Sequence, residues 1–140
     1  MRDAMGSDVA QTPSPVQGLY DGPMWEGIRA RAMCLQRCCS CGTWQYPPGP
    51  GCHACLSEDL EWSPVSGDGT ILSWAIFHRQ YLQAYPAPYN VIAVRLAEGP
   101  VMISNLEGEQ PDGNWIGCHV RLIYAEMPDG AVLPRFALTD

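Results

Sequence analysis

Lysine is missing altogether: all eight basic residues of the 140-residue chain are arginine. That excludes Schiff-base chemistry, which needs a lysine amine. Positive charge is scarce too, because fifteen carboxylates against eight arginines give a formal charge of −7. A chain this acidic is poorly suited to gripping a phosphate backbone nonspecifically. No apolar run reaches the ~18 residues that a membrane span requires. The opening stretch MRDAMGSDVAQTPSPVQGLY holds nothing that could serve as a signal-peptide core. The expectation is a soluble, cytoplasmic protein. A Gly-rich phosphate loop is absent, and the three histidines have no nucleophile motif beside them, so an independent enzyme is not expected.

What is present divides the chain into a tail and one compact unit. Residues 1–18 are polar and bear Pro, Ser and Gly, which reads as a flexible tail. A helical segment follows over 19–33. Pro23 stands near a first turn and Trp25, Ile28 and Ala32 fall on one face, so a short helix is expected at about 23–32. MCLQR and DLEWSPV read as strands framing a cysteine-rich segment, which sets a ribbon unit at 34–65. Beyond it, over 66–140, five short apolar runs are separated by Gly-bearing turns: GTILSWAIFHRQY, NVIAVRL, VMISNL, CHVRLIYAEM and VLPRFAL. The first is apolar on both faces, as suits a strand bent into a small closed barrel. The pattern fits a mainly β chain ending in a five-stranded barrel of the oligonucleotide/oligosaccharide-binding (OB) type.

Four of the seven cysteines form two C-x-x-C pairs, Cys38 with Cys41 and Cys52 with Cys55, ten residues apart. The count is odd and no export signal is seen, so metal binding is a better reading than a disulfide framework. Each pair can aim two sulfurs at one ion, and two facing pairs complete a tetrahedron of thiolates. Gly42, Pro47, Pro48, Gly49, Pro50 and Gly51 let the linker turn back tightly. With all four positions taken by sulfur there is no open coordination site, so the expected ion is a structural zinc. A rubredoxin-like iron site, which would be red and redox-active, is the alternative. Metal binding would supply folding free energy to a segment with little core of its own. Cys39 should point away from the ion, Cys34 and Cys118 read as buried inert thiols, and His53 reads as an exposed loop residue.

Taken together, LQRCCSCGTWQYPP, CHAC, DLEW, VSGDGTILSW, the pair His78-Arg79, PYNVIAVRLAEGP, SNLEG, IGCHV and DGAVLPRF resemble a known family. It comprises the bacterial and archaeal two-part proteins with a rubredoxin-like zinc ribbon followed by an OB-fold, once catalogued as domain of unknown function thirty-five. The likeness runs from about Met24 to Phe136. One departure is Gly49, where many members carry arginine after the two prolines. The resemblance implies an accessory role beside thiolase-fold enzymes acting on acyl-CoA. EGIRARAMCLQRCCSCGTWQYPP and PDGAVLPRF look most like the branch that accompanies lipid-transfer-type aldolases and hydratases of steroid side-chain breakdown.

The leading expectation is therefore a noncatalytic subunit that helps form or shield the acyl-CoA channel of such a partner. Arg29, Arg31 and Arg37, and His78 with Arg79 after the first barrel strand, are the candidate contacts to CoA phosphates or partner surface. A solvated face is the plainer account of the arginines, and a strand-end hydrogen bond that of His78 and Arg79. The competing class is a single-stranded nucleic-acid binder, with Trp74, Phe77 and Tyr81 as a stacking platform. The acidic balance argues against it.

Overall fold

A computed structural model describes residues 10–139. Residues 1–9 of the expected tail lie outside the described residues. Within the remainder, Thr12 is buried and tied to the barrel. Its N–H and hydroxyl donate to the Asp129 carboxylate at 2.6 and 3.1 Å.

The helix α1 (Gly22–Arg29) has proline in its first turn and buries Met24 and Ile28 one turn apart. It stops short of the expected residue 32. Arg31 takes the left-handed conformation (φ 60°), Ala32 N–H donates to Gly27 C=O at 2.7 Å, and Arg31 N–H donates to Ile28 C=O at 3.0 Å. This is a Schellman closure, in which the fold-back bonds satisfy the last carbonyls. Gly27 permits it, since a Cβ there would stand 2.7 Å from Ala32 O.

The chain then builds two sheets. β1 (Cys34–Cys38) lies between β2 (Trp44–Gln45) and β3 (Leu60–Pro64), both antiparallel to it. The second sheet comprises β4 (Asp68–Phe77), β5 (Tyr89–Leu96), β6 (Val101–Ser104), β7 (Leu106–Glu107), β8 (His119–Glu126) and β9 (Val132–Leu138). Its order is β6-β5-β4-β8-β9-β7. Only Asn105 separates β6 from β7, so the two ends of this order are one length of chain, and the sheet closes into a five-stranded barrel of the expected OB type. At the seam the buried Asn90 side chain accepts from Leu106 N–H at 2.6 Å and donates to Leu106 C=O at 2.9 Å. The Asn105 side chain donates to Asn90 C=O.

One core serves both sheets. Met24, Ile28, Met33 and Leu35 pack in the same cluster as Ile71, Ile92, Val94, Leu106 and Phe136. Met33 N–H donates to the Tyr124 hydroxyl at 2.7 Å and Met33 C=O accepts from Val65 N–H at 3.2 Å, fixing the head of β1 on the barrel. No helix among the described residues is long and apolar enough to cross a membrane.

Candidate metal centre

β1 delivers Cys38 at its end, and the turn into β2 brings back Cys41. The chain then crosses the Pro/Gly linker and returns with Cys52 and Cys55 before β3. The four Sγ atoms lie within 4.8 Å of one another. A zinc ion bound by thiolates at about 2.3 Å sets neighbouring sulfurs about 3.8 Å apart. The Cys38–Cys55 and Cys41–Cys52 separations, 3.5 and 3.6 Å, approach that edge and are far too long for disulfides. The set therefore fits a tetrahedral zinc, and it consists of the four residues the spacing singled out.

The backbone is arranged for thiolates. Cys41 N–H points at Cys38 Sγ (3.5 Å), and Ala54 and Cys55 N–H point at Cys52 Sγ (3.4 and 3.5 Å). Hydrogen bonds to the charged form favour it. The Cys41 N–H accordingly draws the Cys38 thiol below its ordinary value. The Thr43 hydroxyl, 3.1 Å from Cys41 Sγ, and the Thr43 backbone bring Cys41 down to about 6. At Cys55 the Ser57 N–H pulls downward, but Cys38, burial and the other two sulfurs outweigh it and push the thiol up to about 12. Hydrogen bonds to the charged form thus compete with the mutual repulsion of crowded sulfurs where no cation balances them. A divalent ion reverses that cost, because a coordinating thiol is deprotonated outright.

The two knuckles make the same turn, Gly42 N–H donating to Cys38 C=O and Leu56 N–H to Cys52 C=O, each at 2.8 Å, with different residues at its end. Each has a residue at positive φ directly after its second cysteine: Gly42 (φ 78°) in the first, Leu56 (φ 67°) in the second. Glycine takes that conformation freely and leucine does not. Ser40 and Ser57 hydroxyls meet at 3.0 Å and join the knuckles.

Two residues that the sequence reading passed over hold the linker. Gln36 and Gln45 are paired across β1 and β2, and both are buried. Gln45 donates to Gln36 Oε1 at 2.9 Å and to Gly51 C=O at 3.1 Å. Gln36 donates to Gly49 C=O and accepts from Gly49 N–H, at 3.0 and 2.9 Å. Two buried amides thus stand where a larger domain would place apolar side chains, each bonding backbone groups of the linker and second knuckle. Gln45 also accepts from His53 N–H at 3.0 Å and lies 3.1 Å from His53 Nδ1, so the His53 ring faces an amide while its residue stays exposed.

Cys39 is exposed and outside the ligand set. Desolvation and the Asp59 and Glu61 carboxylates push its thiol up, which keeps it protonated. Cys34 and Cys118 are half-buried, less enclosed than expected: Cys34 opens β1, and Cys118 precedes β8 instead of lying within it.

The candidate contact residues lie in separate settings. Arg29 is exposed in the last turn of α1. Arg31 pairs with Glu126 at 3.4 Å, both about half exposed. Arg37 lies at the metal end of β1 with its guanidinium 5.6 Å from the Trp44 ring centroid. His78 and Arg79 are exposed beyond the end of β4, and Arg79 lies 5.4 Å over Tyr81. Of the aromatics weighed as a stacking platform, Trp74 is already stacked on buried Trp115, with centroids 4.5 Å apart and planes 8° from parallel. Phe77 and Tyr81 meet edge-on at 6.4 Å.

Comparison with known proteins agrees with this architecture. Residues 25–61 match the model of the ChsH2 rubredoxin-like zinc ribbon domain, and residues 62–124 that of the ChsH2 C-terminal OB-fold domain. The chain is 36% identical over 117 residues to a probable enoyl-CoA hydratase alpha subunit of Thermomonospora curvata. It is 30% identical over 105 residues to the 3-oxo-4,17-pregnadiene-20-carboxyl-CoA hydratase alpha subunit of Mycobacterium tuberculosis. These alignments take in 83% and 75% of this chain but only 37% and 33% of those relatives, so the chain spans about a third of their length. A DUF35 domain-containing scaffold protein of Pyrococcus furiosus is 27% identical, with 78% of this chain and 84% of that one aligned. Among solved structures, a chain of the Ltp2-ChsH2(DUF35) aldolase superposes with a TM-score of 0.81 at 33% identity, over 89% of this chain and 98% of that one. The chain belongs to the DUF35 family, in its ChsH2-type form of a rubredoxin-like zinc ribbon joined to an OB-fold.

Proposed function

We propose that this chain is the noncatalytic DUF35 subunit of an acyl-CoA enzyme complex, docking on a thiolase-fold partner of the aldolase kind and helping to form or shield its acyl-CoA channel. The observation that carries this reading is the superposition on nearly the whole of a chain from the Ltp2-ChsH2(DUF35) aldolase. The residue inventory supports it. The cysteine cluster offers a metal no open position for substrate, and the chain has no lysine to act as a nucleophile, so the chemistry falls to the partner. A docking surface is available on the outer face of β4, β5 and β6. Ile103, Ala93 and Ser73 lie in one register row, and Val91 and Ala75 in the next. Ile103 is 67% exposed, an apolar position of the kind that the centre of a protein interface covers.

In this reading Arg29, Arg31, Arg37, His78 and Arg79 contribute the charged contacts to CoA phosphates or the partner. The test is co-expression with thiolase-type and hydratase-type candidates, followed by size-exclusion chromatography and kinetics of the reconstituted assembly. A stable complex with a thiolase-fold subunit is expected, with no acyl-CoA turnover by this chain alone. Alanine at a residue that contacts CoA should raise the apparent KM about tenfold without changing zinc content. Persistence as a free monomer beside every thiolase-type candidate would remove the main support. Capture by a hydratase instead would move the chain to the class of partner that two of its relatives' names suggest.

A further inference from the structure

At one mouth of the barrel the loop of residues 78–88, between β4 and β5, borders a cavity of about 390 Å³. Ile76, Tyr85, Tyr89, Leu106 and Met127 line it, and so does Arg135 from β9. The volume falls within the range of small-molecule sites, about 300–1,000 Å³. OB barrels take their ligands beside the loops that join the first two and the last two strands, and those loops supply Tyr85 and Met127 here.

Arg135 is only 7% exposed, and a buried guanidinium needs partners. Its partners are few. Nη1 donates to Glu107 Oε1 at 3.1 Å, Nη2 points at Met127 Sδ at 3.7 Å, and Cζ lies 5.7 Å from the Tyr85 ring centroid. Arginine carries five N–H donors and a thioether is a weak acceptor, so most of the fork faces no oxygen acceptor among the described residues. Of the neighbouring amides, Asn90 is engaged with both backbone groups of Leu106, and the Asn105 side-chain N–H donates to Asn90 C=O. The Glu107 side chain is 45% exposed and can turn to water at little cost.

We propose that this cavity binds an apolar or aromatic group bearing a carboxylate. Arg135 holds the carboxylate through its planar fork, the tyrosines and Met127 cover the apolar body, and Glu107 is the internal counter-ion that the ligand displaces. A carboxylate fits better than a neutral polar group because paired N–H···O bonds from a guanidinium are roughly twice as strong as neutral ones. The same chemistry occurs in free organic acids and at the terminus of a partner chain that ends in an apolar residue.

The test is calorimetric titration of the zinc-loaded full chain with 3-phenylpropionate, with its amide, and with a short peptide ending in phenylalanine as free acid or amide. Amide NMR shifts locate the site. The acids should bind at least about tenfold more tightly than their amides, with shifts at Tyr85, Tyr89 and Met127. Glu107→Gln removes the competing carboxylate and should tighten acid binding by about tenfold. Arg135→Gln should abolish the preference for acid over amide. Should that variant fail to fold, Glu107→Gln decides. Whichever acid binds tighter identifies the source. Equal binding of acids and amides, no saturable binding at millimolar concentrations, or no tightening in Glu107→Gln overturns the proposal.

Discussion

Asn90→Ala should be among the costliest single changes in the barrel, although Asn90 belongs to no apolar cluster. Its side chain answers both the N–H and the C=O of Leu106, at 2.6 and 2.9 Å, where β6, paired with β5, gives way to β7, paired with β9. Leu106 is 3% exposed. Truncation strands two buried backbone groups, each worth about 1–3 kcal/mol of desolvation. Asn90 also lines the mouth cavity, so water can reach part of the gap, and the expected loss is about 2–3 kcal/mol. That is a large share of the roughly 5–15 kcal/mol by which domains are stable. Asn90→Asp should also destabilise, since it keeps an acceptor for Leu106 N–H but loses the donor and buries a charge. The assay is urea unfolding followed by tryptophan fluorescence, with the Trp74–Trp115 stack reporting on the barrel and zinc content measured in parallel. A loss below about 0.5 kcal/mol with zinc retained would show that the seam finds other partners and that the reasoning fails.

Cys52→Ser should lower bound zinc well below one ion per chain and expose the ribbon to protease while the barrel tryptophans stay ordered, because a metal's binding free energy is folding free energy for its site; elemental analysis with limited proteolysis reads this, and full zinc content in the variant would contradict it. Leu56→Gly should leave zinc unchanged and raise stability by up to about 1 kcal/mol by relieving a left-handed leucine, with the denaturation midpoint as the check and a fall in midpoint as the adverse result. Asp129 is held below the ordinary carboxylate value chiefly by the Thr12 N–H and then by that of Ala131. Its hold on Thr12 is therefore fully present above the unfolded carboxylate value and is lost as pH falls through the lower folded one. The Thr12 amide resonance should titrate in that acid window and be displaced at every pH in Asp129→Asn; an amide indifferent to both would refute the contact.

The cysteine cluster was legible because C-x-x-C spacing is a local geometric statement, and the barrel strands because alternation and Gly-bearing turns are local too. What escaped needed knowledge of partners. VMISNL reads as one strand, since Met102, Ser104 and Leu106 keep the same inward parity and are all buried. The break at Asn105 changes the neighbouring strand without changing the face. The two apolar faces of the first barrel run have a different origin. A register shift between Ile71 and Ser73 places Leu72 in a bulge, so buried Ile71 and the core-packed Trp74 and Ile76 share an inner face despite opposite parity. Gln36 and Gln45 were missed because a buried amide looks like a surface amide until its backbone partners are known.

The placement of β1 couples the metal to the barrel. Its Met33 side is hydrogen-bonded to Tyr124 and Val65, and Leu35 is fully buried in the shared core. Its far end carries Cys38. Cys38 stands three residues beyond Leu35, about 10 Å along the strand at roughly 3.3 Å per residue, a span stiffened on both sides by β2 and β3. A rigid strand clamped at one end by apolar packing and at the other by a tetrahedral ion holds the orientation of the ribbon on the barrel. Arg37, on the solvent face of that strand beside the Trp44 ring, is thereby held at a fixed distance from the barrel surface. If the ribbon and the outer face of β4, β5 and β6 engage one partner together, zinc loss should weaken that complex even where no ligand cysteine touches it. A complex equally stable with and without zinc would confine docking to the barrel.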